Sequence, residues 1–217
     1  MVPAVTSRLT GEMEDFLRVS LRDPEEDFLL LMPVLACYIL VVVYPFAPEI
    51  QALARFDDAV PEKERREVLD FYRALLLRHA FDAGTDRRLL SKNVSFTPML
   101  FSLLETFPDA CVVACLRPPD RAVVSQISSM EAGWRFFGLE CRFETFQSRW
   151  LSVMAYSYEH LADVLESGFG ERVLPAAMQD MRQNLGGTVY RIYRSLGLRV
   201  PEAFEAELAR EEAASRS

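Results

Sequence analysis

The second half of the sequence alternates short apolar runs with stretches of helical periodicity, and this alternation is what most constrains the fold. The run "RRLLSK" ends at Lys92, the β-branched run "CVVACLR" ends at Arg117, and a third run, "RVLPAAM", begins at Arg172. A helical pattern follows each of them. Strands that alternate with helices indicate a parallel sheet with right-handed crossovers. We therefore predict a helix-rich α/β protein in which helices flank a parallel sheet.

The first half of the sequence has helical periodicity. Segment 61–82, "PEKERREVLDFYRALLLRHAFD", places apolar residues on one stripe, with acids early and arginines late, which suits the helix dipole. A second long amphipathic helix is predicted over 141–167, and Gly197 is expected to end a later helix. We treat 1–217 as a single domain with three parts: a helical segment (1–85), an α/β part (86–200) and a charged tail (201–217).

Residues 28–46, "FLLLMPVLACYILVVVYPF", form a stretch of nineteen residues without a charge. That length satisfies the usual criterion for a membrane-spanning helix. Pro33 inside the run and the acidic approach "RDPEED" instead favour a helix buried in the protein core. The tetrapeptide "DPEE" (23–26) has the form of a capping box that opens this helix. Two interpretations stay open. The favoured one is a helix in the protein core, and the other is a segment inserted in a membrane.

Charge and composition restrict the classes of ligand. The net charge of −8 and the pI near 5.0 argue against general binding to nucleic acid, so any anion site must be local. His79 and His160 have no partners at metal-ligand spacing, which predicts no metal site. Each imidazole is expected to be packed or half-exposed on its helix. Four cysteines without a CxxC pair are expected to be buried free thiols in a reducing, cytoplasmic compartment: Cys37, Cys111, Cys115 and Cys141.

Lys92 and Arg117 are expected at one edge of the sheet, because the carboxyl ends of parallel strands share an edge. Helix N-termini at that edge add partial positive charge, and an arginine offers a planar fork that suits a phosphate. Ser125 follows Pro118 by seven residues, or two helical turns, so its hydroxyl is expected on the same face of the helix. The spacing predicts an anion site. The alternative, a strand-end arginine with a surface serine and a solvated lysine, stays open on spacing alone.

Four segments, in order along the chain, resemble parts of the sulfotransferases. "CLRPPDRAVVSQISSM" is similar to the segment of that family that binds a 3′-phosphate, and "LLSKNVSFTPMLFSLLETFPDACVV" resembles the strand–helix–strand unit before it. "GGTVYRIYRSLGLRVPEAF" resembles the C-terminal helix of the family, and "PEEDFLLL" an acidic motif early in a bacterial-type branch. The resemblance spans roughly residues 22 to 206.

The resemblance implies transfer of a sulfuryl group from 3′-phosphoadenylyl sulfate (PAPS) to a hydroxyl or amine of a small molecule or glycan. Carried over to this sequence, Arg117 and Ser125 hold the 3′-phosphate, and Lys92 lies near the sulfuryl group or its bridging oxygen. Glu26 and Asp27 are acids in a motif shared with the family, which makes them candidates for the base that takes the proton of the acceptor. Capping of a helix start is the alternative role for both.

Three departures from the family pattern stand beside the resemblance. No Gly-rich "PRSGTT" loop occurs among the nine glycines, so the resemblance implies a P-loop-like fold that is incomplete at its N-terminus. Asn93 stands where many relatives carry a histidine, and "AMQDM" replaces the usual "YEDL". Two further hypotheses therefore stay open: a catalytically incomplete relative that binds nucleotide or has a structural role, and a helical protein associated with a membrane.

Overall fold

The computed structural model describes residues 27–42, 44–84, 88–136, 138 and 142–215. In this part of the chain helices form most of the structure, and two strands form one small sheet. The elements, in chain order, are 3₁₀ helices at Asp27–Val34 and Tyr38–Val42; α1 (Pro48–Leu53), α2 (Phe56–Ala59) and α3 (Glu62–Ala83); a 3₁₀ helix at Val94–Met99; α4 (Leu100–Thr106), β1 (Val112–Leu116), α5 (Pro119–Phe136) and α6 (Phe143–Glu166); a 3₁₀ helix at Gly170–Arg172; and β2 (Val173–Ala177), α7 (Met178–Gln183), α8 (Leu185–Ser195) and α9 (Glu202–Ser215).

The sheet has the parallel pairing expected from the sequence. Val112 on β1 lies opposite Val173 on β2, and the register continues to Leu116 opposite Ala177. Helices α5 and α6 lie between the two strands in sequence, as a parallel connection requires. A helix-rich α/β protein with a parallel sheet is therefore confirmed.

The strand predicted for 87–92 is wrong over the residues of that run that the structure describes. Residues 88–93 have no regular secondary structure, and Leu90 is 95% exposed. The run "RRLLSK" has no β-branched residue, so its preference for a strand is weak. The Asn93 side chain accepts a hydrogen bond from the Ser95 N–H (2.8 Å) and caps the following 3₁₀ helix. Lys92 therefore does not lie at the end of a strand.

The apolar run 28–46 does not form the single helix that the sequence predicts. It is divided into two 3₁₀ helices, with Pro33 inside the first and Leu35 in the left-handed region (φ 53°) between them. Leu31, Cys37 and Val41 are buried, whereas Leu29, Leu30 and Leu35 are exposed, so only part of the run belongs to the core. Among the described residues no helix is both long and apolar enough to cross a membrane. The capping box at 23–26 lies outside the residues described.

The two long helices predicted from periodicity are confirmed as α3 and α6. The helix end predicted at Gly197 is confirmed as well. Gly197 has φ +63°, the Leu198 N–H donates to the Tyr193 carbonyl (2.7 Å), and the Gly197 N–H donates to the Arg194 carbonyl (3.1 Å). This pair of bonds is the Schellman arrangement, in which glycine has no Cβ to strain the left-handed turn.

The core consists of three clusters of buried side chains, and α6 contributes to two of them. Trp134 and Trp150 belong to an aromatic cluster and are 0% and 6% exposed, as expected for core residues. Representative members are Leu31, Phe56 and Leu69 in the first cluster, Trp134, Phe146 and Trp150 in the second, and Leu104, Val164 and Val173 in the third. The third cluster attaches the sheet to α4 and α6.

The expectation of buried thiols holds for Cys37 and is wrong for Cys111 and Cys115, while Cys141 lies outside the residues described. Both Cys111 and Cys115 are exposed free thiols: Cys115 lies on β1, which the two-stranded sheet leaves partly uncovered, and Cys111 directly precedes that strand.

The turn that leads into β1 is held by a polar contact. Arg172, just before β2, donates to the carbonyls of Leu104 (2.9 Å), Phe107 and Ala110 (3.0 Å). This guanidinium fixes the start of both strands relative to each other.

Candidate functional site

The carboxyl edge of the sheet carries Arg117. Leu116 and Ala177 form the last pair of the register, Arg117 follows β1 directly, and α5 begins two residues later at Pro119. Arg117 is half-buried. The structure thus places Arg117 at the carboxyl edge of a parallel sheet, directly before the turn into an 18-residue helix.

The backbone at Arg117 is held by α6. The Tyr158 hydroxyl donates to the Arg117 carbonyl oxygen (2.7 Å) across 41 positions of sequence. Burial raises the pKa of Tyr158, while the positive charge of Arg117 partly opposes this rise. The phenol is therefore protonated at neutral pH and acts as a donor, and the guanidinium lies close enough to influence it.

Ser125 lies on α5 with its side chain exposed. The helix to which the sequence assigns it is confirmed, and the first helical hydrogen bonds run from the N–H groups of Arg121 (3.0 Å) and Ala122 (2.9 Å) to the Pro118 carbonyl. Ser125 is seven residues from Pro118, so it lies two turns into this helix. Arg117 and Ser125 therefore belong to one strand–turn–helix unit.

Asp27 and Asn93 join two segments that are far apart in sequence. The Asn93 amide donates to Asp27 Oδ1 (3.1 Å), and the Tyr72 hydroxyl donates to Asp27 Oδ2. Lys92, whose side chain is exposed, directly precedes Asn93. The structure thus brings Asp27 next to the segment that carries Lys92, while Glu26 lies outside the described residues.

The Tyr72 phenol stays protonated in this cluster. Burial is the largest cause that raises its pKa, and the hydrogen bond to Asp27 and the charge of that carboxylate raise it further, against a smaller opposing effect of Ser91. Tyr72 is therefore a fixed donor that orients Asp27. A carboxylate has roughly four lone-pair sites, so two donors leave capacity for a hydroxyl or amine of another molecule.

The sequence analysis missed a buried polar network around Asp57. Its carboxylate accepts hydrogen bonds from the backbone N–H groups of Phe101 (2.9 Å) and Ser102 (3.2 Å), from the Ser102 hydroxyl, and it pairs with His160 Nε2 (2.9 Å). The side chains of His160 and Asp57 are 4% and 6% exposed. The packed imidazole expected for His160 is confirmed, whereas a packed imidazole is wrong for His79, which is exposed on α3. The Asp57 network joins helices rather than facing a ligand.

Two further observations concern metal binding and the surface clefts of the protein. Within the described residues, no group of three or more His, Cys, Asp or Glu side chains is arranged to hold a metal ion. A cleft of about 630 Å³ lies between α8 and α9 and is lined by residues such as Tyr193, Arg199 and Glu205. None of its lining residues is a site residue predicted from the sequence. The cleft is therefore separate from the residues that the sequence assigns to the site.

A family model described as "Sulfotransferase family" matches residues 42–202, which is well over half of the chain. The chain therefore belongs to the sulfotransferase family. The matched range includes Lys92, Arg117 and Ser125 and ends short of Asp27 on the N-terminal side. No curated protein and no solved structure gives a significant match to this chain.

Proposed function

We propose that this protein transfers a sulfuryl group from PAPS to a hydroxyl or amine acceptor, a small molecule or a glycan. Membership of the sulfotransferase family supports the class of reaction. The observation that carries the proposal is the position of Arg117, immediately beyond the carboxyl end of β1 and before the N-terminus of α5. A phosphate bound there would contact the Arg117 guanidinium and lie near the partial positive charge of the helix N-terminus.

In this proposal the donor nucleotide is held at its 3′-phosphate. The guanidinium of Arg117 makes two parallel charge-assisted hydrogen bonds to phosphate oxygens, and the Ser125 hydroxyl donates a third from α5. The exposed side chain of Ser125 and the half-buried side chain of Arg117 leave both accessible to a ligand. The overall charge of −8 repels a polyanion, so a local cation is needed to bind one.

The transfer step assigns roles to Lys92 and Asp27. The acceptor oxygen or nitrogen attacks sulfur in line, the bond between sulfur and the 5′-phosphate oxygen breaks, and adenosine 3′,5′-bisphosphate (PAP) leaves with the bonding electrons. Lys92 stabilises the charge that develops on the leaving oxygen. Asp27, oriented by Tyr72 and Asn93, takes the proton of the acceptor.

One observation favours a second candidate function, nucleotide binding without transfer. The nine glycines include no Gly-rich loop that could cradle a 5′-phosphosulfate through backbone N–H groups. A chain that holds the 3′-phosphate at Arg117 without such a loop binds PAP and PAPS but lacks the donors that position the sulfuryl group.

The two functions are separated by one pair of measurements. Isothermal titration calorimetry with PAP tests binding, and release of PAP from PAPS in the presence of phenols, sugars and amines tests transfer. Binding together with acceptor-dependent release supports the enzyme, and binding without release supports the second candidate. Failure of PAP to bind contradicts both.

A further inference from the structure

We propose that Tyr158 is a positioning residue for the phosphate site, because its hydroxyl holds the backbone from which the Arg117 side chain projects. The inference rests on the proposed function, since it assumes that Arg117 binds the 3′-phosphate. Its basis is the 2.7 Å hydrogen bond from the Tyr158 hydroxyl to the Arg117 carbonyl oxygen.

The turn after β1 has few donors of its own. Pro118 and Pro119 have no N–H, and Pro118 also restricts the backbone of Arg117 to extended conformations. The N–H groups of Arg121 and Ala122, in the first turn of α5, bond to the Pro118 carbonyl. The Arg117 carbonyl therefore lies outside the helical ladder, and a side chain of another helix satisfies it.

Helix α6 is a rigid support for this contact. His160, two residues beyond Tyr158, pairs with Asp57 Oδ2 (2.9 Å) inside the protein. Residues two apart in a helix project about 200° apart, so the two side chains leave α6 in nearly opposite directions. The His160 side chain connects α6 to the buried network at α2 and α4, and the Tyr158 side chain reaches the sheet edge.

The contribution of Tyr158 is indirect. Its single O–H donates to the carbonyl, so it has no proton left to donate to a phosphate. Burial keeps the phenol protonated by raising its pKa. Without this hydrogen bond the backbone of the turn has more conformational freedom, so the Arg117 guanidinium is no longer held in one orientation. The expected loss concerns the 3′-phosphate and not the rest of the nucleotide.

The test compares two nucleotides that differ by that phosphate. Calorimetry gives the Kd of PAP and of adenosine 5′-monophosphate (AMP) for the wild type, Tyr158→Phe and the control Tyr156→Phe. Tyr156 lies on the same helix, and its hydroxyl is 3.4 Å from His160 Nδ1 instead of near Arg117. We expect Tyr158→Phe to weaken PAP by about fivefold, as for one neutral hydrogen bond, and to leave AMP unchanged.

Each outcome has one meaning. A lower ratio of PAP to AMP affinity in Tyr158→Phe alone supports the inference. An unchanged ratio, or an equal loss for both nucleotides, overturns it while the wild-type preference for PAP keeps the proposed function intact. A wild type that binds PAP no better than AMP overturns the proposed function and this inference together. The thermal midpoint of each variant shows that the comparison is made between folded proteins.

Discussion

The imidazole Nε2 of His160 lies 2.9 Å from Asp57 Oδ2, although 103 positions separate the two residues in sequence. The same carboxylate caps the start of α4 through the N–H groups of Phe101 and Ser102. One buried group therefore joins three helices, α2, α4 and α6. The position of α6 in turn fixes Tyr158 against the turn at Arg117.

Asp57→Ala is expected to destabilise the protein by about 3 kcal/mol, because it leaves the helix N–H groups, the Ser102 hydroxyl and His160 buried without their acceptor. Urea unfolding followed by circular dichroism measures the change. Asp58→Ala is the matched control, since the Asp58 side chain is 53% exposed and pairs with Arg55 at the surface (3.4 Å). It is expected to cost less than about 1 kcal/mol. Equal losses in the two variants contradict the structural role of Asp57.

Asp27→Asn is expected to lower kcat by about a hundredfold or more, because an amide cannot take the proton of the acceptor. The Kd of PAP is expected to stay the same, since Asp27 is assigned to the acceptor and not to the donor. Acceptor-dependent release of PAP and calorimetry measure the two quantities. Asp70→Asn, an exposed acid on α3, is the control. A variant at Asp27 with wild-type kcat shows that another group is the base.

Lys92→Ala is expected to lower kcat by about a hundredfold through loss of a cation at the leaving oxygen. Lys92→Arg keeps the charge and is expected to retain a larger part of the rate. Lys63→Ala provides a matched control, because Lys63 is exposed on α3 and pairs with Glu67 (3.8 Å). If Lys92→Ala and Lys63→Ala turn over PAPS equally fast, Lys92 has no part in transfer.

The sequence predicts those parts of the fold that depend on local patterns. The helices α3, α5 and α6 and the strand before Arg117 follow from periodicity, β-branched composition and proline placement within a few residues. The strand predicted to end at Lys92 fails because an apolar run without β-branched residues does not reveal whether a partner strand exists. The helix predicted over 28–46 fails because the run forms two 3₁₀ helices, and Leu35 between them adopts a left-handed conformation.

The candidate site likewise has parts that the sequence predicts and parts that it does not. Arg117 and its helix are local features, and the sequence places them correctly. The contacts of Tyr158 with Arg117, of Asn93 with Asp27 and of His160 with Asp57 span 41, 66 and 103 positions. A lone tyrosine, asparagine or histidine in a helical or loop pattern carries no signal of such a partner, so only the folded chain reveals these contacts.

The Kd of PAP for Arg117→Ala is the most direct test of the central claim, that Arg117 holds the ribose-linked phosphate. Loss of a charge-assisted bidentate contact is worth about 2–3 kcal/mol, which predicts a Kd raised by roughly 30- to 150-fold, and Ser125→Ala is expected to lose about 1 kcal/mol. Arg135→Ala, at the other end of α5 and paired with Glu131 (2.6 Å), should bind as the wild type does. Wild-type affinity for PAP in Arg117→Ala contradicts the account.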